Sequence, residues 1–421
     1  MMLKNKNILV GVTGSIAIYK TLELIRLYIK AGANVKVIMT SSAKKFITPL
    51  TFETISQSQI LDDINESWDK DSYYNHIAIG KWADIFVIAP ASANTINKLS
   101  HGIADNILTQ AALAYPRVKL LCPAANTNMI QNPITSASMK MLKLCNYKIV
   151  EPVSKELACR DIGNGALSEV DDIYYATVRE LLKDEYWENR KVVLSGGGTV
   201  EKIDDVRYIS NFSSGKMASS LALALYLRGA DVCLVSSRGY EELPKDIHII
   251  NAQSSQEMYS YLQESITVAK KGTKTSTTLM DDSKSTLIQK KPYLFMVAAV
   301  SDYVPLYPQN GKLKKSMIGE KWDLELKQNI DILSSLDRND IYTIGFKAEM
   351  DKKVAYENAQ NMKTQKNIDA VCLNIIDENN SFGSNSNKIE LIINDKTISF
   401  DGNKFDISLE ILDSLSSEFY E

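Results

Sequence analysis

A short apolar run that ends in a glycine turn and opens a helix occurs twice in this chain, near residue 8 and again near residue 191. Ile8–Val12 leads into Gly11-Val12-Thr13-Gly14-Ser15. Ile18, Leu22, Ile25 and Ile29 then fall on one helical face, and Gly32 ends that helix. Lys191–Leu194 leads into Ser195-Gly196-Gly197-Gly198-Thr199, and a helix follows from about Ser214 to Arg228, ended by Gly229. Strands that are apolar throughout must be covered on both faces, so each half is expected to be a parallel sheet between helices. Val35–Met39, Ile85–Ala89 and Val118–Cys122 continue the first set. Val232–Val235, Tyr293–Ala298, Ile341–Phe346 and Ala370–Leu373 continue the second. Ile389–Ile393 and Thr397–Phe400 flank Asn394-Asp395 as a hairpin, and a closing amphipathic helix has Asp406 as its expected N-cap. This pattern predicts two doubly wound α/β domains, residues 1–189 and 190–421, with the polar stretch Glu185–Arg190 as linker. Residues 265–291 are polar and of low complexity and read as a flexible surface insertion.

Composition narrows the function classes. The 421 residues carry a net charge of −3 with 24% charged residues, which gives no polycationic face for nucleic acid. Five cysteines lack metal-type spacing and read as free thiols of a reducing compartment, and three histidines make no zinc set. The run Ile8–Ile18 is broken by Gly11 and Gly14 and lacks a cleavage site, so a cytoplasmic chain without a membrane span is expected.

Both glycine turns are candidate anion sites, because the N–H groups at a helix start point at whatever sits there. Each is equally an ordinary tight turn, since neither has the GxGxxG spacing. Ser213-Ser214-Gly215-Lys216-Met217 resembles the end of a P-loop but lacks the upstream glycine, and Met217 stands where a hydroxyl belongs. His76 and Cys159 read by themselves as a surface histidine and a loop cysteine, and Lys312-Leu313-Lys314-Lys315 as a solvated basic cluster or a phosphate clamp.

Taken in order, these segments resemble the bacterial bifunctional phosphopantothenoylcysteine decarboxylase/phosphopantothenate–cysteine ligase family. The resemblance rests on Gly14-Ser15-Ile16-Ala17, His76-Ile77 with Gly80-Lys81-Trp82-Ala83-Asp84, and Ala89-Pro90-Ala91-Ser92-Ala93-Asn94-Thr95. Pro123-Ala124-Ala125-Asn126-Thr127-Asn128-Met129 and Ala158-Cys159-Arg160-Asp161-Ile162-Gly163-Asn164-Gly165 complete the first half. In the second half it rests on Asp205-Val206-Arg207-Tyr208-Ile209-Ser210-Asn211 with Ser213-Ser214-Gly215-Lys216, Ala298-Ala299-Val300-Ser301-Asp302-Tyr303, the Lys312 cluster and Lys366-Asn367-Ile368-Asp369.

The resemblance implies a flavodoxin-like/Rossmann-like flavoprotein domain followed by a Rossmann-like ligase domain. It implies FMN, with Gly14, Ser15, Ser92 and Asn94 at its site. Loss of CO2 from the cysteine carboxylate needs an electron sink, which oxidation of the neighbouring CH2–SH to a thioaldehyde provides. His76 is implied in an acid–base and orienting role, Asn126 and Met129 at the substrate, and Cys159 as proton donor on a flap. For the second half the resemblance implies CTP and Mg2+, which activate 4′-phosphopantothenate as an acyl-cytidylate that L-cysteine then attacks. Asp302, Ile330, Asp331, Ile332, Leu333, Phe346 and Lys366 match nucleotide-binding positions. Lys312 matches the residue that stabilises triphosphate charge and Asn211 the one that holds the acyl moiety, while the Mg2+ ligands stay unassigned. A homo-oligomer is implied, with trimers of the first domain paired through the second into a dodecamer. Two departures stand out: Ala125 where the family has methionine, and Met362 where a basic residue is usual.

Three other readings compete. A flavoprotein of the same superfamily with another substrate would have no ligase half. A flavin-binding regulatory subunit carries acidic tails and loses catalytic positions, whereas His76, Asn126 and Cys159 are all present here. A nicotinamide-dependent dehydrogenase would need the dinucleotide fingerprint that both turns lack.

Overall fold

In the computed structural model, which describes residues 2–69, 74–156, 162–240, 242–276, 285–314, 319–376 and 383–420, the chain forms two units. One is Met1–Leu182 with Ser276–Ser285; the other is Lys183–Thr275 with Thr286–Glu421.

The main sheet of the first unit has five strands, β1 (Asn7–Val12), β2 (Asn34–Met39), β3 (Ile85–Ala91), β4 (Lys119–Pro123) and β5 (Tyr147–Ile149). They pair in the order β2-β1-β3-β4-β5, all parallel. This is the flavodoxin-like order, whose direction of winding reverses at β1/β3 and leaves a crevice beyond the carboxyl ends of those strands. Leu9, Ile38, Phe86, Ile88 and Leu121 are fully buried in one cluster beneath Leu108 and Ala111 of the helix Ile107–Ala114. The helix Ile18–Lys30 ends as expected: Gly32 takes φ +96° and the Ala33 N–H reaches back to Tyr28 O (3.0 Å).

The second unit holds β6 (Lys191–Gly196), β7 (Asp231–Ser236), β8 (His248–Asn251), β9 (Tyr293–Met296), β10 (Tyr342–Glu349), β11 (Ala370–Ile375), β12 (Ser386–Ile393) and β13 (Lys396–Asn403). Their order is β8-β7-β6-β9-β10-β11-β12-β13, parallel through β11 and antiparallel in the closing hairpin. The winding reverses at β6/β9, which sets a second crevice.

Three local expectations are corrected. Glu185–Arg190 is not a solvated linker, because Tyr186, Trp187 and Arg190 are buried. The Arg190 guanidinium lies 4.0 Å from the Tyr186 ring centroid and donates to Tyr186 O and Lys291 O. Trp187 and Tyr293 pack at 4.8 Å in an aromatic cluster that extends through Tyr342 to Phe419. Second, residues 265–269 belong to the helix Ser255–Ala269, with Ile266 and Ala269 in the core. Thr273–Ser276 and Ser285–Ile288 form a strand pair, so the expected insertion starts later than residue 265; residues 277–284 lie outside the described residues. Third, the cap of the helix Lys404–Glu418 is Asn403, whose side chain accepts the Asp406 N–H (2.9 Å). Asp406 instead occupies the first turn, where its charge suits the helix dipole.

Candidate functional sites

At the mouth of the first sheet, Thr13 joins two strand ends. Its buried Oγ1 donates to Pro90 O (2.7 Å) and accepts the Ser92 N–H (2.9 Å). Ser92 caps the helix Ala93–Ser100, its Oγ accepting the Thr95 N–H (3.4 Å), so Asn94 sits in the first turn with the N–H groups exposed to the crevice. Asn126, at the end of β4, caps Thr127–Gln131 by accepting the Asn128 N–H (2.9 Å). Gly14, Ser15, Ser92, Asn94, Asn126 and Met129 all line one cavity of about 700 Å3. A Cβ on Gly14 would lie 2.7 Å from Ser42 Cβ, so the turn has no room for a side chain. Lys98 and Asp105 on the rim are ion-paired at 2.6 Å, and Asp63, which accepts the Ile107 N–H (2.7 Å), adds a second carboxylate to the lining. Hydroxyls, amides, bare backbone and apolar Ile16 and Phe46 make a lining that fits a phosphorylated planar cofactor.

A neighbouring cavity of about 510 Å3 shares Ser15, Ile16 and Ala124–Asn126 with the first. Its wall adds Lys20, Lys155 and Gly165, and its Lys20 and Lys155 both grip Glu169, at 3.1 and 2.8 Å. The Lys155 hydrogen bond, with that of Lys20, holds the Glu169 carboxyl below the usual carboxylate range against the opposing effect of burial. Sequence reasoning missed Lys20, Lys155 and Glu169; the only signal was Lys20 in the first turn of the helix that follows Gly14–Ala17. Gly165 permits a close approach, since a Cβ there would meet Ala125 O at 2.2 Å.

His76 is elsewhere. It starts the helix His76–Trp82, its Nδ1 lies 2.7 Å from Glu66 Oε1, and Trp68 packs edge-on against its ring at 5.3 Å. It lines neither cavity. The Glu66 contact holds the imidazole so that its other nitrogen faces away from the carboxylate. Cys159 lies outside the described residues.

In the second unit, Ser195 plays the joining part. Its buried Oγ accepts the Val297 and Ala298 N–H groups (3.0 and 3.1 Å) and ties the end of β6 to that of β9. Asn211, Asp302, Ile330, Asp331, Ile332, Leu333, Phe346 and Lys366 then line a single cavity of about 610 Å3, with Met362 in its wall. These residues come from five separate segments of the chain. Asp331 caps Ile332–Ser335 and pairs with Lys366 Nζ at 2.9 Å. Burial pushes its carboxyl up, but the Lys366 and Ser334 hydrogen bonds outweigh this and hold it below the ordinary range. Asn211 Nδ2 donates to Val300 O (3.0 Å). Ser301 was quoted only as part of a motif, yet its buried Oγ, in the cavity wall, has no hydrogen-bond partner among the described residues. A buried hydroxyl left unmatched by protein is free to bond a water or a ligand in the cavity.

Lys312 does not line this cavity. It is exposed on a strap whose neighbours are tied down, Gly311 N–H to Asp205 Oδ2 (2.6 Å) and Leu313 N–H to Asp204 Oδ2 (3.1 Å). Lys315 lies outside the described residues. Among the described residues no cluster of three or more His, Cys, Asp or Glu is placed to hold a metal, and no helix is long and apolar enough to cross a membrane. Asp302 and Asp331 fit the one or two carboxylates that a phosphate-bound Mg2+ needs from protein.

The family described as Flavoprotein matches residues 1–182, and the DNA/pantothenate metabolism flavoprotein C-terminal domain matches 187–276 and 272–418. The chain is 35% identical to the coenzyme A biosynthesis bifunctional protein CoaBC of Borreliella burgdorferi, over 92% of this chain and 93% of that protein. It is 33% identical to the protein of the same description from Bacillus subtilis, over 99% of this chain and 98% of that one. The figure for Escherichia coli is 31%, over 94% and 92%.

Proposed function

The chain belongs to the family of coenzyme A biosynthesis bifunctional proteins, phosphopantothenoylcysteine decarboxylase joined to phosphopantothenate–cysteine ligase, and from that premise we propose how its two crevices divide the work. The observation that carries the proposal is the convergence of Asn211, Asp302, Ile330–Leu333, Phe346 and Lys366 on one cavity. In this reading that cavity holds CTP with Mg2+. Lys366 and the N–H groups at the start of Ile332–Ser335 hold the nucleotide, and Asp302 faces the metal. A carboxylate is a poor acyl donor, so the chain must first make it an acyl-cytidylate, with pyrophosphate leaving. Asn211 then orients the acyl carbon toward the cysteine amine. Lys312 reaches the triphosphate from its strap, where a point charge opposes the charge that develops on phosphate oxygens.

The first cavity holds FMN in this reading, with Ser15, Ser92 and Asn94 on its polar groups and Gly14 giving its phosphate a bare backbone turn. Bound FMN supplies hydride acceptance and return. Asn126 fixes the substrate carboxylate from the shared wall of the two cavities. Cys159 delivers the proton to carbon in the last reduction, so Cys159→Ser is expected to release CO2 and accumulate the ene-thiol. His76, outside both cavities of its own chain, acts from a neighbouring copy; its Glu66 contact fixes the ring for that role. A homo-oligomer follows from that requirement, and the cytoplasm is the compartment that supplies these substrates.

Incubation with 4′-phosphopantothenate, cysteine, CTP and Mg2+ tests the whole reading. 4′-Phosphopantetheine and pyrophosphate are the expected products. Pyrophosphate with ATP but not CTP would overturn the nucleotide assignment, and a purified protein without visible flavin absorbance would overturn the cofactor assignment.

A further inference from the structure

Lys312 lies outside the proposed nucleotide cavity, so whatever holds its strap decides where its charge can go. The strap runs between the paired strands Tyr303–Pro305 and Leu326–Gln328, and Tyr303 and Gln328 both line that cavity. Residues 307–312 are all exposed, so apolar burial does not fix this part of the chain.

A hairpin about a hundred residues earlier fixes it instead. The strands Val200–Lys202 and Tyr208–Ser210 pair antiparallel, and residues 203–207 make the turn between them. Asp204 is the centre of that turn, its side chain fully enclosed. Its Oδ1 accepts the Val206 and Arg207 N–H groups (2.8 and 2.7 Å) and so closes the turn. Its Oδ2 points out of the turn and accepts the Leu313 N–H (3.1 Å). Asp205 takes the residue on the other side of Lys312. Its Oδ2 accepts the Gly311 N–H (2.6 Å), and its own N–H donates to Gly311 O (3.2 Å). Arg207 Nη2 donates to Leu313 O (3.0 Å), and the Gln309 N–H to Ile203 O (2.9 Å). The backbone is thus pinned on both sides of Lys312, while the Lys312 side chain is exposed and makes no ion pair or hydrogen bond among the described residues. The next residue after the hairpin is Asn211, in the cavity wall.

We propose that Asp204 and Asp205 are positioning residues for acyl-cytidylate formation, acting through Lys312: they hold its strap so that the ammonium meets the phosphate charge as pyrophosphate leaves. The proposal rests on the ligase reading above. In that step a carboxylate oxygen of 4′-phosphopantothenate bonds to the α-phosphorus of CTP. The bond from that phosphorus to the bridging oxygen breaks, and pyrophosphate carries away the electron pair. The charge that grows on the leaving oxygens is what Lys312 opposes. A lysine on a free loop would have to order both its side chain and its backbone to do this. A backbone tied on both sides leaves only the side chain to order. The turn itself needs one acceptor oxygen, and Oδ1 of Asp204 supplies it. A buried carboxylate is costly unless both oxygens are matched, and the second oxygen goes to the strap.

Pyrophosphate release by the full chain, measured against CTP concentration, tests this as a double-mutant cycle. Asp204→Asn keeps Oδ1 for the turn but sets an amide donor against the Leu313 N–H. It is expected to lower kcat about 10²-fold, the cost of a misplaced catalytic group, and to leave the KM for CTP within about twofold. Asp205→Ala removes one charged acceptor and is expected to lower kcat about tenfold. In a Lys312→Gln background each of the two is expected to change kcat by less than about twofold, because the group they position is gone. A merely structural role would lower the rate by the same factor in both backgrounds. That result, a loss confined to the KM for CTP, or wild-type release by Asp204→Asn would overturn the proposal. The retained KM shows that a variant is folded. If Asp204→Asn does not fold, Asp205→Ala carries the same cycle, since the Asp205 side chain is 52% exposed. If Lys312→Gln alone releases pyrophosphate like wild type, the reading of Lys312 fails and takes this inference with it. If Lys312→Gln is slow and the losses add, this inference alone fails.

Discussion

At the mouth of the first sheet a threonine from the end of β1 ties down the next strand end; at the second, a serine from the end of β6 does the same. Thr13 and Ser195 are both fully buried, both next to a glycine turn, and both at the point where the winding reverses. The backbone device is therefore shared, but the charge around it is not. The first mouth sets Lys98 against Asp105 and surrounds the turn with hydroxyls. The second is divided: its larger cavity sets Asp302 and Asp331 beside Lys366, while an adjoining cavity of about 200 Å3 gathers Lys216, Lys347 and Lys404 without a carboxylate in its lining. The fold decides where an anion can sit, and side chains from far along the sequence decide which anion it is.

If the units divide the chemistry as proposed, damage to one must leave the other running. The largest effect is expected from Lys312→Gln. Pyrophosphate release should fall about 10³-fold, the low end for loss of a cation that stabilises phosphoryl transfer. Decarboxylation of supplied phosphopantothenoylcysteine should not change, and parallel loss of both would break the comparison. Next is Asn126→Asp. Aspartate keeps the helix cap but sets a negative charge against the substrate carboxylate. Decarboxylation should fall about 10²-fold, the size of one lost stabilising donor, with pyrophosphate release intact.

The two turns themselves can be compared. Gly14→Ala forces a contact on Ser42, an overpacking of about 1–3 kcal/mol, and should lower flavin retention roughly tenfold as read by visible absorbance. Gly197→Ala adds left-handed strain at φ +78° to a 2.3 Å clash with Ser237 Oγ, so it should lower the unfolding temperature of the second unit more than Gly14→Ala lowers that of the first.

A pH scan gives a smaller effect. Asp331 is held low in the folded chain, so its pairing with Lys366 stabilises the fold above the unfolded carboxyl pKa and is lost as the pH falls through the folded one. Wild type and Asp331→Asn should therefore differ at neutral pH and converge in acid. The difference should be small, because the Asp331 side chain is 47% exposed. The smallest effect is expected from replacing residues 277–284 with a Gly/Ser linker, which should leave ligase turnover within about threefold, because that stretch is polar and of low complexity in sequence. Starting the same replacement at residue 265 takes Ile266 and Ala269 out of the core and should unfold the second unit.

These contrasts follow the line between what sequence pattern reveals and what it hides. The central strands were legible because each is apolar throughout and bounded by turns. The edge strands β5 and β8 were not: Tyr147–Ile149 is three residues long, and His248–Asn251 is mostly exposed and has no alternation to read. Glu185–Arg190 looked solvated because four of its six residues are charged or amide, but Arg190 buries its guanidinium between a tyrosine face and two carbonyls. Of the site residues, those at strand ends converge, since topology alone brings strand ends together. Lys312 and His76 sit on other features, so no strand end carries them to a cavity. The lysines of the small cavity were hidden for another reason: Lys216, Lys347 and Lys404 are far apart in the chain, and each alone is an ordinary surface residue.

The buried aromatic cluster has an optical consequence. Trp187 is fully enclosed, its ring packs on Tyr186 and Tyr293, and its indole N–H has no acceptor among the described residues. An indole in so apolar a setting emits at shorter wavelength than one in water. Of the chain's four tryptophans, Trp68 and Trp322 are exposed and Trp82 is half-buried, so the bluest part of the emission belongs to fully buried Trp187. Excited at the red edge of indole absorption, the chain carries its own lamp for the second unit. Denaturant should shift that emission red as this unit melts, while flavin fluorescence reports on the first, and the two unfolding curves can be read from one cuvette.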